Sequence, residues 1–394
     1  MTRPLHILTL STLFPNAESP NFGIFVERQT AELASRPKAT VTVINPIGIP
    51  PPPFSGLRPY RALAALPDHE QWRGLNVHRP RFTLIPKFGG ARNPARIARA
   101  ILPLIQKLHE EKPFDLIDAE FFYPDGPAAM RLSKALDIPF TVKARGADIH
   151  YWGNDPKCLP QILSAAEKAS GLLTVSRALR QDMKALGMDG DKITVHYTGL
   201  DQKKFKPVDR LKAKQEQRVT GPLFICVGAL IVRKNQALVI EAMTSFPEAT
   251  LMLAGTGDQE KAYRSLADSL GVKHRIRFLG NVPHDKLPAL VAAADIAILP
   301  SKSEGLANAW VEALSCGTPI IISEAGGARE LVRSDIAGRI VEQHSPAIVE
   351  AIKAILADPP SQDEVRATVR HFSWKNNGDA LIKLFTGIVE NNSA

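Results

Sequence analysis

The sequence predicts an α/β protein made of two doubly wound, Rossmann-like domains that face each other across a cleft. Apolar, strand-like runs alternate with helical patterns along the chain, which is typical of parallel sheets joined by right-handed crossovers. The 394 residues are too many for one typical domain and suggest two of about 150–200 residues each. Open sheets of this kind bind ligands at the carboxyl ends of their strands, so we expect the active site in the cleft.

The strand-like runs form two series separated by a polar linker near 201–207. This divides the chain into an N-terminal domain of residues 1–203 and a C-terminal domain of residues 204–372. The first series is His6–Leu10, Val41–Asn45, Leu116–Ala119, Phe140–Lys143, Leu172–Val175 and Ile193–Tyr197. The second series is Phe224–Val227, Thr250–Ala254, Ile276–Leu279, Ile296–Leu299 and Ile320–Ile322.

Two glutamates, Glu304 and Glu312, flank a predicted loop that opens a helix after one strand of the second series. Residues 309–314 have a helical composition, which places Glu304 in the turn and Glu312 about one turn into the helix. A helix that begins at the carboxyl end of a strand offers unpaired N–H groups to an anion, and carboxylates accept hydrogen bonds from sugar hydroxyls. The pair therefore suits a sugar joined to a phosphate, the alternative being two solvated helix glutamates.

Several motifs carry a resemblance to a known family. Ser303-Glu-Gly305, Glu312-Ala-Leu and Cys316-Gly-Thr-Pro319 resemble the E-x7-E signature of retaining glycosyltransferases of family 4. Val227–Lys234 resembles the family's phosphate-binding turn, and Leu253–Gly257 resembles its strand-end glycine pair. Ala294–Ser301 resembles the segment that precedes the two glutamates. The resemblance covers nearly the whole chain and implies the GT-B fold, with a C-terminal helix, 373–394, that joins the N-terminal domain.

The resemblance also implies roles in the donor site. Arg233 and Lys234 are expected to offset the negative charge that develops on a leaving nucleotide diphosphate. Glu312 is expected to hold ribose hydroxyls, and Glu304 hydroxyls of the donor sugar, so Glu304, Lys234 and Arg233 are the catalytic candidates. The other donor-binding candidates would offer backbone N–H groups to the phosphates or, as glycines at strand ends, let the ligand come close to the backbone. They are Gly305, Leu306, Ala307, Gly228 and Gly255.

Four residues of the N-terminal domain are candidates for the acceptor side. Gly23 resembles the family's glycine loop at the start of the first helix, where a glycine lets the backbone approach a ligand, the alternative being an ordinary turn glycine. Arg145 stands where many relatives carry a histidine, and because arginine is not a base near neutral pH we expect it to bind anionic groups. Asp148 and Tyr123 complete the set.

The net charge of +9 is concentrated between residues 51 and 100, where nine arginines and lysines face two acids. An amphipathic helix from Asn93 to Leu108 is predicted there, with Asn93 as its cap. Residues 58–99 form either a solvated basic rim or a surface that contacts an anionic membrane. The cations are Arg58, Arg61, Arg73, Arg79, Arg81, Lys87, Arg92, Arg96 and Arg99. Nucleic acid is not an expected partner, because aromatic residues do not interleave with these cations.

Composition restricts the compartment and the cofactors. The three cysteines are scattered, without the spacing of a metal site or a disulfide framework, which indicates a reducing, cytoplasmic environment. No stretch approaches the roughly 20 apolar residues of a membrane-spanning helix, so any membrane contact would be peripheral, at the inner face of the plasma membrane. Asp189-Gly-Asp191 spells a metal-binding D-x-D, but it lies in a glycine-containing turn. We expect neither metal nor cofactor.

These observations predict a retaining, metal-independent hexosyltransferase that uses a nucleotide-diphosphate sugar. The acceptor is expected to be a carbohydrate, lipid-linked ones included, in surface polysaccharide or glycoconjugate biosynthesis. Two alternatives stay open: an epimerase or hydrolase, which would convert the donor without an acceptor, and a non-catalytic protein that binds nucleotide sugars. The charges at Glu304, Glu312 and Lys234 argue against the non-catalytic protein.

Overall fold

The computed structural model describes residues 3–86 and 89–393. The chain forms two compact units, one comprising Met1–Gly199 with Trp374–Ala394 and the other Leu200–Ser373. Within the described residues, no helix is both long and apolar enough to cross a membrane.

The strands are numbered along the chain. Those of the first unit are β1 (Leu5–Leu10), β2 (Ala39–Ile44), β3 (Ile47–Ile49), β4 (His69–Trp72), β5 (Leu75–His78), β6 (Arg81–Thr83), β7 (Leu116–Ala119), β8 (Phe140–Ala144), β9 (Gly171–Thr174) and β10 (Ile193–Val195). Those of the second unit are β11 (Leu223–Val227), β12 (Thr250–Ala254), β13 (Ile276–Gly280), β14 (Ile296–Leu299), β15 (Ile320–Ser323) and β16 (Gly338–Val341).

Helices cover both faces of the sheets. They are α1 (Ile24–Ala34), α2 (Tyr60–Ala64), α3 (Asn93–Glu111), α4 (Asp125–Leu136), α5 (Ala147–His150), α6 (Leu159–Lys168), α7 (Arg177–Ala185), α8 (Arg210–Glu216), α9 (Gln236–Ala242), α10 (Glu260–Ser269), α11 (Leu287–Ala293), α12 (Asn308–Ser315), α13 (Ala328–Leu331), α14 (Ser345–Ala357), α15 (Gln362–Ala367) and α16 (Trp374–Ser393). Helices α8 to α15 belong to the second unit.

Each unit contains one main parallel sheet. The order is β10-β9-β8-β7-β1-β2-β5-β4 in the first unit, where β4 and β5 pair antiparallel, and β13-β12-β11-β14-β15-β16 in the second. A separate parallel ribbon pairs β3 with β6. The central strands β1, β7 and β8 are buried at nearly every residue because helices bury both faces of such a sheet. The chain reverses its direction of winding at β1/β7 and at β11/β14, and ligands of this architecture bind outside the carboxyl ends of the strands at such points.

The C-terminal helix α16 completes the core of the first unit. Its Leu381 and Phe385 are fully buried against the cluster that contains Ile7 and Leu33. The side chain of Asn377 donates to the Tyr197 carbonyl at 2.7 Å. Apolar packing and this hydrogen bond thus attach α16 to the first unit.

Helix α3 does not begin as the sequence suggested. Asn93 has helical backbone angles and is the first residue of the helix, whereas Arg92 is in the cap position. A short 3₁₀ turn over Gly90–Arg92 precedes it, so the chain is already wound before Asn93. The predicted capping role of Asn93 is therefore wrong.

Candidate active site

Several of the predicted donor-site residues of the second unit lie at the carboxyl ends of β11, β12 and β14, where the chain reverses its direction of winding. Gly228 follows β11 and Gly255 follows β12, and a Cβ atom at Gly255 would collide with the Gly228 carbonyl. Gly255 also has a φ of 152°, a backbone conformation that favours glycine. The two glycines therefore let adjacent strand ends pack closely, and they place no side chain at this edge of the sheet.

Two cations and one carboxylate meet at this edge. Lys234 Nζ lies 2.5 Å from Glu304 Oε1, and Arg233 Nη1 lies 3.4 Å from Glu304 Oε2. Arg233 also donates to the Ser303 carbonyl, and the Lys302 amide donates to the Arg233 carbonyl at 2.8 Å. These bonds connect the turn that holds the cations to the loop that holds Glu304.

The buried position of this cluster affects the protonation of Lys234. Burial lowers the pKa of Lys234, the neighbouring Glu304 raises it, and Arg233 lowers it. The side chains of Lys234 and Glu304 are 13% and 8% exposed, whereas that of Arg233 is 41% exposed. The Glu304 carboxylate thus counteracts burial and favours the charged ammonium.

The loop between Glu304 and α12 packs against the glycines Gly326 and Gly327. The Gly327 amide donates to the Gly305 carbonyl at 2.8 Å. A Cβ atom at Gly326, whose φ is 51°, would collide with the carbonyls of Glu304 and Gly305. Ala307 caps α12 without a side-chain hydrogen bond, and the Trp310 amide donates to the Ala307 carbonyl at 3.0 Å. The amides before Trp310 are therefore the candidates for binding an anion.

Glu312 lies in the second turn of α12 and has a partner that the sequence analysis missed. Its Oε1 atom is 2.7 Å from His284 Nε2, and both side chains are 13% exposed. The ring of His284 packs edge-on against Phe205, with centroids 5.1 Å apart. The only signal in the sequence was a histidine in the loop after β13, which does not by itself indicate a pair with a residue 28 positions away.

In the first unit, the predicted residues Gly23 and Arg145 lie at the carboxyl edge of the sheet. Gly23 is the left-handed residue before α1, with a φ of 69°, and a Cβ atom there would collide with the Leu13 backbone. Arg145 follows β8 and forms an ion pair with the buried Glu120. Its guanidinium also lies 4.9 Å from the centroid of the Phe25 ring.

Behind Arg145 lies a cluster of buried ionisable groups that sequence reasoning did not single out. Lys143 Nζ contacts Gln29 Oε1 and lies 2.5 Å from His196 Nδ1. Burial, followed by the charge of Arg145, lowers the pKa of Lys143 to about 7. Burial acts to raise the pKa of Glu120, but Arg145 and Lys143 outweigh it and lower that pKa. The one available signal was a lysine, Lys143, inside an otherwise uncharged strand.

Asp148 and Tyr123 have partners inside the first unit rather than a surface open to a ligand. The Asp148 carboxylate accepts hydrogen bonds from the amides of Phe122 and Gly146, both at 2.8 Å. The buried Tyr123 donates its hydroxyl to the Gly90 carbonyl at 2.9 Å. Both therefore organise loops, and the acceptor-side role of Asp148 and Tyr123 stays a prediction.

The basic region of residues 58–99 is less exposed than its composition suggested. Arg79 is fully buried, its Nε lies 2.5 Å from Glu70 Oε1, and it also donates to the Pro15 carbonyl at 2.9 Å. Ion pairs also join Arg73 to Glu27 and Arg81 to Asp68. The residues that stay exposed are Arg58, Arg61, Arg73, Arg92 and Arg99, and Lys87 lies outside the described residues.

The aspartates of the D-x-D sequence form a turn. Asp189 Oδ1 accepts a hydrogen bond from the Asp191 amide at 2.9 Å, as a capping side chain does. Across residues 3–86 and 89–393, His, Cys, Asp and Glu side chains nowhere assemble in a group of three or more that could hold a metal ion.

Comparisons with known proteins agree with this architecture. Residues 26–204 match the family model of glycosyltransferase family 4, and residues 207–389 match that of glycosyl transferases group 1. Over 391 residues the chain is 28% identical to TuaC of Bacillus subtilis (strain 168), covering 96% of this chain and 97% of that protein. TuaC is named, provisionally, as a glycosyltransferase of teichuronic acid biosynthesis.

Solved structures show the same fold. Sucrose-phosphate synthase from Thermosynechococcus elongatus has a TM-score of 0.81 at 20% identity, covering 98% of this chain and 100% of that one. Alr3699/HepE of Anabaena in complex with UDP has a TM-score of 0.75 at 20% identity, covering 97% and 100%.

The two parallel-sheet units and these matches define a GT-B glycosyltransferase. The chain belongs to glycosyltransferase family 4, within the group 1 enzymes that use nucleotide-sugar donors. The α/β fold and the family predicted from the sequence motifs are thereby confirmed.

Proposed function

We propose that this chain is a retaining, metal-independent hexosyltransferase of the cytoplasm. It transfers a sugar from a nucleotide-diphosphate sugar to a carbohydrate acceptor in the synthesis of a surface polysaccharide or glycoconjugate. Similarity to TuaC over nearly the whole of both chains supports the polysaccharide assignment.

The observation that carries the proposal is the cluster of Lys234, Arg233 and Glu304 at the β11/β14 edge. A diphosphate gains negative charge as the glycosidic bond breaks, and fixed cations stabilise that charge without reorganising. Lys234 and Arg233 supply the cations, and the first amides of α12 supply hydrogen bonds to phosphate oxygens. Glu304 keeps Lys234 charged and is placed to accept hydrogen bonds from the hydroxyls of the donor sugar.

Retention of configuration requires no general base from the protein in this proposal. The bond between the anomeric carbon and the leaving phosphate oxygen breaks while a bond to the acceptor oxygen forms on the same face. The proton of the acceptor hydroxyl passes to the leaving phosphate. The roles of the side chains are therefore to position the reactants and to stabilise charge.

Glu312 holds the nucleoside in this scheme. A carboxylate can accept hydrogen bonds from two neighbouring ribose hydroxyls, and His284 occupies one side of its Oε1 atom at 2.7 Å. Gly228 and Gly255 admit the nucleotide close to the strand ends. UDP is the nucleotide bound in the HepE structure and is the first one to test.

An exposed surface of the first unit supports a lipid-linked acceptor at the inner face of the membrane. Phe54 and Leu57 are each 56% exposed, and Arg58 and Arg61 beside them are exposed as well. Apolar side chains next to cations suit the boundary between anionic headgroups and acyl chains. We call Phe54, Leu57, Arg58 and Arg61 the docking surface.

Nucleotide binding tests the donor site. UDP, GDP and ADP are added separately in thermal-shift measurements, because a ligand that binds only the folded state raises the unfolding temperature. We expect one nucleotide to stabilise the wild type and Lys234→Ala to lose most of this stabilisation. Lys302→Ala removes an exposed lysine from the adjacent loop and should behave as wild type. Equal stabilisation of Lys234→Ala and wild type would contradict the donor-site assignment.

Product analysis then tests the reaction itself. With the sugar of the stabilising nucleotide as donor, NMR of the product should show the anomeric configuration of the donor. Turnover that does not depend on an added acceptor would instead favour an epimerase or hydrolase. Nucleotide binding without turnover under any acceptor condition would favour a binding protein.

A further inference from the structure

The second unit contains a cavity of about 350 Å³ at the amino ends of three neighbouring strands. Its wall includes the residues that directly precede β11, β14 and β15, which are Pro222, Asp295 and Pro319. The donor-site candidates follow the carboxyl ends of β11, β12 and β14, so the cavity lies at the opposite edge of the sheet. Its volume is within the range of about 300–1,000 Å³ that is typical of small-molecule sites.

Two carbonyl groups, rather than a carboxylate, hold one of the cations in the cavity wall. Arg210, on α8, is partly buried, and it donates to the Gly317 carbonyl at 2.7 Å through Nη2 and to the Ala292 carbonyl at 3.5 Å through Nε. Across the described residues, its Nη1 atom has no protein acceptor and is not enclosed, so a ligand can reach it. Burial lowers the pKa of Arg210, against the opposing charge of Asp295. A guanidinium that loses hydration without a carboxylate partner favours the binding of an anion.

The second cation of the wall, Lys214, is neutralised by Asp295. Lys214 follows Arg210 by one turn of α8, and its Nζ atom lies 2.7 Å from Asp295 Oδ2. The same oxygen accepts a hydrogen bond from the Leu223 amide at 2.7 Å. Because Lys214 and Asp295 offset each other, the charge of Arg210 remains as the net charge of the wall. The cavity therefore suits a ligand with a single negative charge, whereas the Asp295 carboxylate repels a second one.

The remaining side chains of the wall are mainly apolar. They include two residues from the end of α14 and two prolines after it, which are Ile355, Leu356, Pro359 and Pro360. Proline has no backbone N–H group to donate, so this side of the cavity offers apolar surface rather than hydrogen bonds. The planar guanidinium of Arg210, in contrast, matches the planar fork of a carboxylate. The two sides together fit a carboxylate on an apolar body.

We propose that this cavity is a second ligand site, which binds a small organic monoanion with its carboxylate against Arg210 and its apolar body against Leu356 and the prolines. The inference goes beyond the proposed glycosyl transfer and does not depend on it. The segment that carries Arg210 is basic, with seven cations and two acids between residues 203 and 218, and this raises the local concentration of anions. A ligand at this edge of the sheet leaves the nucleotide site unoccupied, so the two ligands bind without competing.

Ligand-observed NMR titration of the full-length chain tests the proposal with benzoate as the probe. Benzamide has the same shape without the charge, and phenyl phosphate carries about −1.5 to −2 charges near pH 7. Acetate has the carboxylate without the apolar body. We expect benzoate to bind roughly tenfold or more tighter than benzamide and acetate, and about threefold or more tighter than phenyl phosphate. Benzoate that does not saturate a site, or that binds no tighter than any one of the other three, would overturn the proposal.

Variants then place the binding in the cavity. Arg210→Met removes the cation and Leu356→Trp fills the cavity, and each should weaken benzoate binding by roughly tenfold or more. Lys212→Met removes an exposed cation from the same helix and should bind benzoate as wild type does. Asp295→Asn removes the repelling carboxylate, so phenyl phosphate should then bind at least as tightly as benzoate. Cooperative thermal unfolding shows which variants are folded, and wild-type affinity in a folded Arg210→Met or Leu356→Trp protein would refute this location.

Competition with nucleotides separates this site from the donor site. UDP, GDP and ADP are added in turn to the protein saturated with benzoate, and none of them should displace it. Displacement by a nucleotide that stabilises the protein would assign benzoate to the donor site, and the inference would fail while the proposed function stands. If benzoate binds as expected but no nucleotide does, the proposed function fails and the inference stands.

Discussion

Lys234 Nζ and Glu304 Oε1 lie 2.5 Å apart at the β11/β14 edge, and less than one sixth of either side chain is exposed. The desolvation of a buried ion pair can cost as much as its attraction returns, so such a pair contributes little to stability by itself. Its position at the winding reversal, together with Arg233, instead suggests selection for ligand binding. The pair also makes the protonation of Lys234 dependent on Glu304.

Glu304→Gln should shift the pH dependence of donor binding toward lower pH. Burial lowers the pKa of Lys234, and the Glu304 carboxylate counteracts it. Without that negative charge the ammonium loses its proton at a lower pH, so nucleotide affinity should decline earlier as the pH rises. Calorimetric titration with nucleotide from neutral to alkaline pH measures the shift. Glu324→Gln, which changes an exposed glutamate of the same unit, is the control, and coincident profiles for wild type and Glu304→Gln would contradict the prediction.

The elements at this site were predictable because local sequence determines them. Strand β14 is an apolar run that ends at Pro300, and α12 follows a glycine-containing loop, so the positions of Glu304 and Glu312 followed from the alternation of strand and helix. The pair between Glu312 and His284 was not predictable, because it depends on how the loop after β13 packs against α12. Periodicity assigns elements, but it does not specify which loops meet.

Glu312→Ala should abolish discrimination between ribose and deoxyribose nucleotides. Hydrogen bonds from a ribose hydroxyl to a carboxylate contribute about 1.5–3 kcal/mol, so the wild type should bind a nucleotide roughly tenfold or more tighter than its 2′-deoxy form. In Glu312→Ala this ratio should approach one. His284→Ala should reduce the ratio partially, because the carboxylate loses the partner that holds Oε1.

Competition binding with UDP and 2′-deoxy-UDP, or with the matching pair of another nucleotide, measures this ratio. His344→Ala is the control for His284→Ala, since His344 is an exposed histidine beside Glu342 in the same unit. A ratio that stays at the wild-type value in Glu312→Ala would assign the ribose to another residue.

Charge reversal in the docking surface should weaken binding to anionic vesicles. Each basic residue near an anionic surface contributes about 1 kcal/mol, so Arg58→Glu with Arg61→Glu should reduce partitioning by roughly tenfold or more. Flotation with vesicles of phosphatidylglycerol and phosphatidylcholine measures it, and added salt should weaken wild-type binding. Lys203→Glu with Lys204→Glu makes the same change in net charge at exposed residues of the other unit and serves as control. Equal flotation of both double variants would refute the docking surface.

The number of arginines and lysines between residues 58 and 99 overestimates the exposed positive charge of this region, because composition does not reveal which cations are buried. Arg79 was counted with the exposed arginines, yet it is enclosed by Glu70, Asn45 and Pro15. Strands β4 and β5, which position Glu70 and Arg79, are only four residues long, and they were not predicted because β4 is polar at three of its four residues and β5 at two. The buried cluster around Lys143 was missed because Lys143 lies on β8 and its partners, Gln29 and His196, come from α1 and from the position after β10, which are far apart in the sequence.

Lys143→Met should reduce the pH dependence of stability between about pH 7 and pH 10. Burial and the charge of Arg145 lower the pKa of Lys143 to about 7, whereas an unfolded lysine titrates near about 10.4. In this window the unfolded chain binds more protons than the folded one, so the free energy of unfolding rises with pH, by up to about 1.4 kcal/mol per pH unit. Below about pH 7 both states are protonated, and this contribution to the slope disappears.

Urea unfolding at about pH 7.5, 8.5 and 9.5 measures the slope for wild type and variant. Methionine has a similar length and no charge, so the variant keeps most of the packing while it loses the titration. Groups distant from Lys143 titrate equally in both proteins, so the difference between the two slopes reports Lys143 together with Glu120 and His196, whose pKa values it shifts. Lys134→Met, at an exposed position of α4, should keep the wild-type slope. Parallel curves for wild type and Lys143→Met would mean that Lys143 keeps its proton in the folded state, balanced by the charge of Glu120.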